Sequence, residues 1–423
     1  MTPDKKSKIA VIGSGISGLT CAWLLRERYD VHLYESGDYI GGHTQTTDVE
    51  VAGRSYPVNT GFIVFNDWTY PNFIRLMQKL GVAAEDSDMS FSVKCERTGL
   101  EYNGHTLDTL FAQRRNLLNP KFWGMIRDIL RFNKETRQAL ADGLVSEDET
   151  LGQYLGRKGY GDYFRRFYIV PMGAAIWSAS EAMMMDFPLF FFLRFFNNHG
   201  MLSVDERPQW RVISNGSRSY VGRMLQDLDP QQVYLSTAVE RVERQSHGVT
   251  LYSSRGADDF DQVIFACHSD QALAMLAEPT ADETSILSAI PYQANDVVLH
   301  TDRSILPAHK KAWAAWNYHI GPQAQDTVAV TYYMNRLQNF HDCPEDFCVT
   351  LNKTRDIDDS KIIRRFTYHH PVFTLDGMRA QKRHAEISGH NRSHFCGAYW
   401  FNGFHEDGVV SALRVCAALG VSL

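Results

Sequence analysis

The sequence predicts a mixed α/β fold, in which a parallel, doubly wound sheet is interleaved with a second domain of mixed sheet and helices. Three observations predict it. A short β-branched run, KIAVI from Lys8 to Ile12, leads through GSGISG into the helical pattern LTCAWLLRERY and then a second strand, DVHLYE. That is a βαβ unit. Strand patterning returns after Val233, in VYLSTAVERVERQSHGVTLYSSRGADDFDQVIFAC, and again in the tail HFCGAYWFNGFHEDGVVSALRVCAALG. Between these pieces lies a long helical, aromatic stretch. One sheet drawn from the start, middle and end of a chain implies interleaved domains.

The elements follow in order. Lys8 to Ile12 is continuously apolar, as a strand buried on both faces should be. YPNFIRLMQKLGV, from Tyr70, reads as a helix closed by Gly81. DMSFSVKCERTGLEYNGH, residues 88–105, alternates like a hairpin with its turn near Thr98 and Gly99. Residues 120–142 read as a basic helix, and residues 150–200 as helical and aromatic. HG and RG turns break the strands after Val233. DVVLHTD from Asp296 and DTVAVTYYMN from Asp326 are further strands, and YHHPVF reads as a loop before an extended proline segment. The tail is a strand, a glycine-bearing loop and a helix. The expected division assigns residues 1–85, 205–285 and 365–423 to the nucleotide domain, and 86–204 and 286–364 to the substrate domain.

Bulk properties exclude several classes. A chain of 423 residues buries roughly three quarters of its unfolded surface and makes two or three domains. A net charge of −6 gives no basic excess for nucleic acid. Seven scattered cysteines fit reduced thiols in a cytoplasm. The start, MTPDKKSKIAVIG, does not read as a signal peptide. The most apolar window, Pro171 to Phe196, contains Glu181, Asp186, Pro188 and Arg194, which argues against a membrane span. HDCPEDFC offers only His341, Cys343 and Cys348, so a surface loop is expected there and no metal site.

Gly13, Ser14, Gly15, Ser17 and Gly18 belong to a G-x-G-x-x-G directly after a strand, with Glu35 and Ser36 at the end of the next strand. Gly13 permits the tight turn, Gly15 clears the pyrophosphate, and Gly18 lets helix and strand approach. The helix N-terminus attracts the phosphates, and Glu35 accepts from ribose hydroxyls. GRKGYG from Gly156 has the wrong order for a second fingerprint. The fingerprint alone does not separate NAD from FAD.

The next stretch, ESGDYIGGHTQT, places Gly41, Gly42, His43 and Thr44 just past the ribose acid. It resembles the FAD-dependent amine oxidase and phytoene desaturase superfamily. PVNTGFIVFN, with Thr60, Gly61 and Phe62, resembles that family's segment beside the flavin ring. LSTAVERVERQSHGVTL is similar to the strand pair that brings a valine, here Val239, to the adenine. DQVIFACHSDQAL resembles the strand and turn that follow. FCGAYWFNGFHEDGVVSALRVCAAL, with Gly397, Ala398, Gly408 and Val409, resembles the segment that closes over the flavin with a helix N-terminus. The resemblance implies FAD as cofactor and a Rossmann-like FAD-binding domain. Two departures stand out: His43 replaces a common arginine, and Ala398 and Tyr399 replace a common acid. Three roles stay open for His43: a phosphate-side donor or loop cap, a covalent flavin attachment, or, least favoured, a base.

Amine oxidases of this superfamily hold a lysine near flavin N5; the similar place here, QANDVVLHTD, has Asn295 and Asp296. They also place the amine between two aromatic rings, for which AYWFNGF offers Tyr399 and Phe404 as substrate-facing candidates, with core packing as the competing reading. MMMDFPLFFFLRFF suits either the wall of a long apolar pocket or a filled helical core. In NPKFWGMIRDILRFNKETRQAL, Phe122, Met125, Ile126, Ile129 and Leu130 recur at helical spacing beside Arg127, Arg131, Lys134 and Arg137. That pattern fits a helix on an anionic membrane or a domain helix with a solvated face. IGGHTQT, NTGFIVFN and IVPMGAAIWS further resemble a bacterial subgroup associated with cyclopropane, methyl-branched and furan fatty acid modification. The expected protein is therefore an FAD-dependent oxidoreductase that takes hydride from an apolar substrate, foremost a fatty acyl chain. It is expected in the cytoplasm, with peripheral contact to the inner membrane surface through residues 120–142. The rivals are an amine oxidase, a redox-neutral fatty acid isomerase and a non-enzymatic flavoprotein partner of a lipid-modifying enzyme.

Overall fold

The computed structural model describes residues 6–322 and 328–423. Its first sheet has five strands, all parallel, in the spatial order Val233–Tyr234, Asp30–Tyr34, Lys8–Ile12, Gln262–Phe265 and Ser393–Phe395. In chain order that is 3-2-1-4-5, the doubly wound arrangement of dinucleotide-binding folds. Ile12 pairs with both Tyr34 and Phe265. The carboxyl ends of the three central strands are therefore level, and Gly13, Glu35 and Ala266 leave the sheet side by side.

Alternate side chains serve the two faces. Ile9, Val11 and Leu33 pack under the helix Ile16–Leu25 and the C-terminal helix His405–Ala418. Ala10, Ile12 and Tyr34 pack under an antiparallel meander, Val239–Arg244, Val249–Ser253 and Gly256–Phe260. The expected mixed α/β class is the observed one.

The second sheet has seven strands: Ile362–Pro371, Tyr292–His300, Cys348–Leu351, Ala329–Tyr333, Trp316–Ile320, Phe91–Cys95 and Leu100–Asn103. Only Trp316–Ile320 and Phe91–Cys95 run parallel to each other. The first residues of the strand expected from Asp326 lie outside the described residues. YHHPVF is not a loop. Tyr368, His369, His370 and Pro371 end a ten-residue strand that pairs with Tyr292–His300 along its whole length. Its polar residues hid it, because an edge strand can leave most of its side chains in water. The expected division at residue 365 falls inside this strand.

Helices cover the second sheet. Phe191, Phe192, Phe195 and Phe196 are buried in its core, and Phe192 stacks on Phe196 at 4.0 Å; MMMDFPLFFFLRFF is mainly core. The basic helix Pro120–Ala141 starts with Pro120, and the Asn119 side chain caps it by accepting from Lys121 N. Its Phe122, Met125 and Phe132 are fully buried, so most of its apolar face packs on protein, with Leu130 left exposed. Among the described residues no helix is long and apolar enough to cross a membrane, and no group of side chains could hold a metal.

Candidate active site and dinucleotide cradle

The glycine loop is shaped by close approach. Gly13 has φ +103°, and a Cβ there would lie 2.8 Å from Ala266 O. At Gly18 a Cβ would come within 1.9 Å of Gly13 O, so only glycine lets the helix start this close to the strand. Gly15 differs: a Cβ would meet nothing within 4 Å. Its missing side chain leaves open space at the helix N-terminus.

Glu35 faces this loop. Its Oε2 accepts from Ser14 N at 3.0 Å and from Ser14 Oγ at 2.5 Å, while Oε1 accepts from Gly37 N at 2.8 Å and from Ser36 Oγ at 3.4 Å. Ser14 Oγ accepts from Gly41 N at 3.1 Å. A Cβ on Gly42 would lie 3.1 Å from Gly15 Cα, so the glycine pair closes over the fingerprint loop. The strand Val239–Arg244 starts below Glu35, after Thr237 N has bonded Glu35 O at 2.8 Å.

The C-terminal helix aims its N-terminus at the same place. Ser17 Oγ donates to Gly408 O at 3.0 Å, and a Cβ on Gly408 would lie 2.6 Å from Ile16. Ala398 borders Gly408, and Val409 is fully buried between the two helices. Gly397 N bonds Ser411 Oγ at 3.0 Å. Thr44 does not present a free hydroxyl: its Oγ1 is bonded to Tyr220 OH and lies 2.9 Å from His405 Nε2. Phe62 stacks flat on His405 at 3.5 Å. Gly61 is required because a Cβ would lie 2.0 Å from His43 O, and Phe62 N donates to that same oxygen at 2.7 Å. Thr60 Oγ1 lies 3.2 Å from Tyr368 OH.

His43 points to the junction of the two sheets. Its ring lies 5.0 Å from Tyr368 and 5.5 Å from His370. Burial, then the nearby His268 and His369, pull its pKa down to about 4. His268 is lowered to about 4 and His370 to about 3, in both cases mainly by burial. These imidazoles are neutral at pH 7. His370 lines a crevice with Trp177, Met183, Phe187, Gln293 and Phe373. Tyr399 and Phe404 are not brought together. Tyr399 is buried near Tyr292 at 6.4 Å, whereas Phe404 stacks on Phe195 at 5.0 Å.

His370, Ser178, Asn352, Tyr220 and His405 were not singled out by sequence reasoning as site residues, and Asn295 entered only as a residue at the place similar to the family's lysine. Ser178, Asn295, Asn352 and His370 come from four distant segments without a shared motif.

The residues present fit a dinucleotide. Gly15 leaves clearance at a helix N-terminus, two helix N-termini converge, and His43 Nε2 and Tyr399 OH are buried without a protein partner. Fold and site therefore define a dinucleotide-binding protein of the doubly wound class. Residues 16–335 match the family described as flavin containing amine oxidoreductase. The chain belongs to that family, and its cofactor is FAD. Among solved structures it is similar to cyclohexylamine oxidase from Brevibacterium oxydans IH-35A, with a TM-score of 0.69 and 15% identity over 98% of each chain. It is similar to the CLA-producing fatty acid isomerase from P. acnes, with a TM-score of 0.69 and 15% identity over 99% of each chain. The putative protoporphyrinogen oxidase from Exiguobacterium sp. 255-15 gives a TM-score of 0.68 at 15% identity over 98% of each chain. At that identity the likeness is one of fold. No curated protein matches the chain.

Proposed function

We propose that the protein takes a hydride from an apolar, uncharged substrate, foremost a fatty acyl chain. The observation that carries this is the set of apolar side chains Trp177, Met183, Phe187, Val372 and Phe373 gathered beside neutral His370 and Gln293, around a narrow crevice of about 10 Å³. Its lining is mostly apolar, no carboxylate is among the lining residues, and His370 stays neutral, which suits an uncharged substrate. Bound FAD supplies hydride acceptance at N5. Gly13, Gly15, Gly18, Glu35, Gly41 and Gly42 would hold its pyrophosphate and ribose, while the aromatic walls exclude water.

The protonation of His370 follows from a backbone-anchored chain of amides. Asp296 N donates to Asn352 Oδ1 at 3.0 Å, so the Asn352 amide nitrogen faces Asn295 and donates to its Oδ1 at 2.8 Å. Asn295 Nδ2 then donates to His370 Nδ1 at 3.3 Å. Ser178 Oγ lies 3.0 Å from the same nitrogen. With Nδ1 accepting and the ring neutral, the proton sits on Nε2. His370 is thereby a donor, suited to a carbonyl or carboxyl oxygen. Asn352 has φ +55°, a conformation asparagine and aspartate tolerate. Asn352→Asp keeps the turn but cannot donate. It reverses Asn295 and moves the His370 proton to Nδ1. KM for an acyl substrate should rise by about tenfold or more, and ¹⁵N shifts of His370 should report the tautomer.

Amine oxidation is the second reading, and the comparisons favour it. The family description names amines, and both cyclohexylamine oxidase and putrescine oxidase are among the similar folds. The isomerase likeness supports a redox-neutral variant on the same acyl pocket. Anaerobic titration of the flavin absorbance separates them. Bleaching by fatty acids or membrane lipids supports acyl oxidation, and bleaching by amines alone supports amine oxidation. Lipid turnover without an oxidant supports isomerisation, and a flavin that no substrate alters supports a non-enzymatic partner.

A further inference from the structure

A corner of the substrate domain holds large apolar side chains in water. Leu107 is 76% exposed, Leu118 89%, Leu117 46% and Trp123 49%. They form one patch. Trp123 Nε1 donates to Leu117 O at 2.9 Å, the Trp123 ring lies 5.3 Å from Phe111, and Phe111 N donates to Leu107 O at 3.1 Å. Leu117 and Leu118 end the short turn Arg114–Leu118 that precedes the capped helix Pro120–Ala141. The patch is thus presented already ordered.

Its charge is opposite to that of the whole chain. Between Leu107 and Arg131 there are five basic and two acidic residues, in a chain of net charge −6. Both acids are already paired, Asp108 with Arg114 and Lys311, and buried Asp128 with Arg127 and Arg131. Lys121 and Arg127 are exposed beside Trp123.

We propose that this corner seats the protein on the headgroups of an anionic lipid bilayer. Leu118 and Trp123 enter the interface, and Arg115, Lys121 and Arg127 face the lipid phosphates. Tryptophan favours the boundary between headgroups and chains, and basic residues favour anionic lipid. The contact differs from that of an amphipathic helix lying flat, because Phe122, Met125 and Phe132 are committed to the core. Only the first turn of the helix and the turn before it face the bilayer. The proposal is independent of which substrate is oxidised.

The test is flotation of the full-length, FAD-loaded protein with vesicles of phosphatidylcholine alone or with ~30% phosphatidylglycerol, a composition that gives an anionic surface. Binding is expected on the anionic vesicles only and should weaken with salt. Leu118→Asp and the pair Lys121→Glu/Arg127→Glu should each lower affinity by about tenfold or more, since each basic residue contributes about fivefold. Flavin absorbance and Tm should stay at their parent values, because these side chains are exposed. Absence of flotation on anionic vesicles, or flotation that neither variant weakens, overturns the proposal. A dimer in sedimentation that Leu118→Asp dissolves also overturns it, by assigning the patch to a second copy of the chain.

Discussion

Gly15 and Gly18 stand three residues apart and have different tasks. Gly18 is required by the fold, because a Cβ would strike Gly13 O. Gly15 has φ −63°, which alanine adopts freely, and open space where its Cβ would go. Gly18→Ala should therefore lower stability by more than about 3 kcal/mol. Gly15→Ala should leave the apoprotein within about 0.5 kcal/mol of the parent while weakening FAD binding by at least about tenfold. Thermal unfolding with and without FAD measures both, and a Gly15→Ala protein with parental FAD affinity would remove the clearance role. The buried histidines give a pH prediction at the same scale. His43 and His268 titrate near 4 and His370 near 3 in the folded chain, against about 6.5 when unfolded. Below pH 6.5 the unfolded chain binds more protons, so stability is full above that pH and is lost as pH falls towards 4. For His43 alone the loss is on the order of 3 kcal/mol. Apoprotein Tm measured from pH 7 to 4 should fall along this slope, and His43→Gln should flatten it.

Between helices, one residue of the C-terminal helix joins two elements. Glu406 accepts from Asn72 N at 3.1 Å, Asn72 Nδ2 at 2.7 Å and Phe73 N at 2.8 Å. It caps the helix Pro71–Leu80, whose own N-cap, Tyr70, supplies no side-chain bond. Its neighbour Asp407 turns back to Phe404 N at 2.9 Å and is pushed up to about 7 by burial. Glu406→Ala leaves those N–H groups without their carboxylate and should cost about 2–4 kcal/mol. Urea unfolding measures it, and Glu406→Gln should recover part of the loss. Elements like the Gly13–Gly18 loop were legible in the sequence, because strand, turn and helix are contiguous and the glycines answer to local sterics. The basic helix at Pro120 was legible as a helix. Its periodicity could not tell which surface covers the apolar face, because protein and lipid look alike to an apolar stripe. The strand Ile362–Pro371 was partly hidden, since its Arg364, Arg365, His369 and His370 break the apolar alternation that marks a strand. His370 gains its meaning only from Ser178, Asn295 and Asn352, contacts that exist after the sheet has formed.

Over the whole molecule, the chain crosses repeatedly between its two largest sheets. The fragment 1–204 carries only Asp30–Tyr34 and Lys8–Ile12 of the parallel sheet, and only Phe91–Cys95 and Leu100–Asn103 of the seven-stranded one. The hairpin Thr46–Val51/Arg54–Asn59, which follows the first two parallel strands, is bonded to the turn after Ala329–Tyr333: Asn59 N donates to Gln338 Oε1 at 2.8 Å, and Gln338 Nε2 donates to Pro57 O at 2.9 Å. Neither sheet can close its core from one half of the sequence, so the two should unfold together rather than as separate domains. Fragment 1–204 should show no cooperative thermal transition by circular dichroism, and co-expression with 205–423 should be needed to recover flavin binding. In the intact chain FAD should raise the single transition by mass action, by about 2.7 kcal/mol at a hundredfold excess over Kd. The residues that would hold the cofactor lie on the glycine loop and at the start of the C-terminal helix, which come from opposite ends of the chain. Stabilisation by FAD should therefore reach the second sheet through Tyr368 and His370 as well as the first. Hydrogen exchange of the strand Ile362–Pro371 tests this directly: FAD should slow it, and unchanged exchange there would mean that the two sheets respond to the cofactor separately.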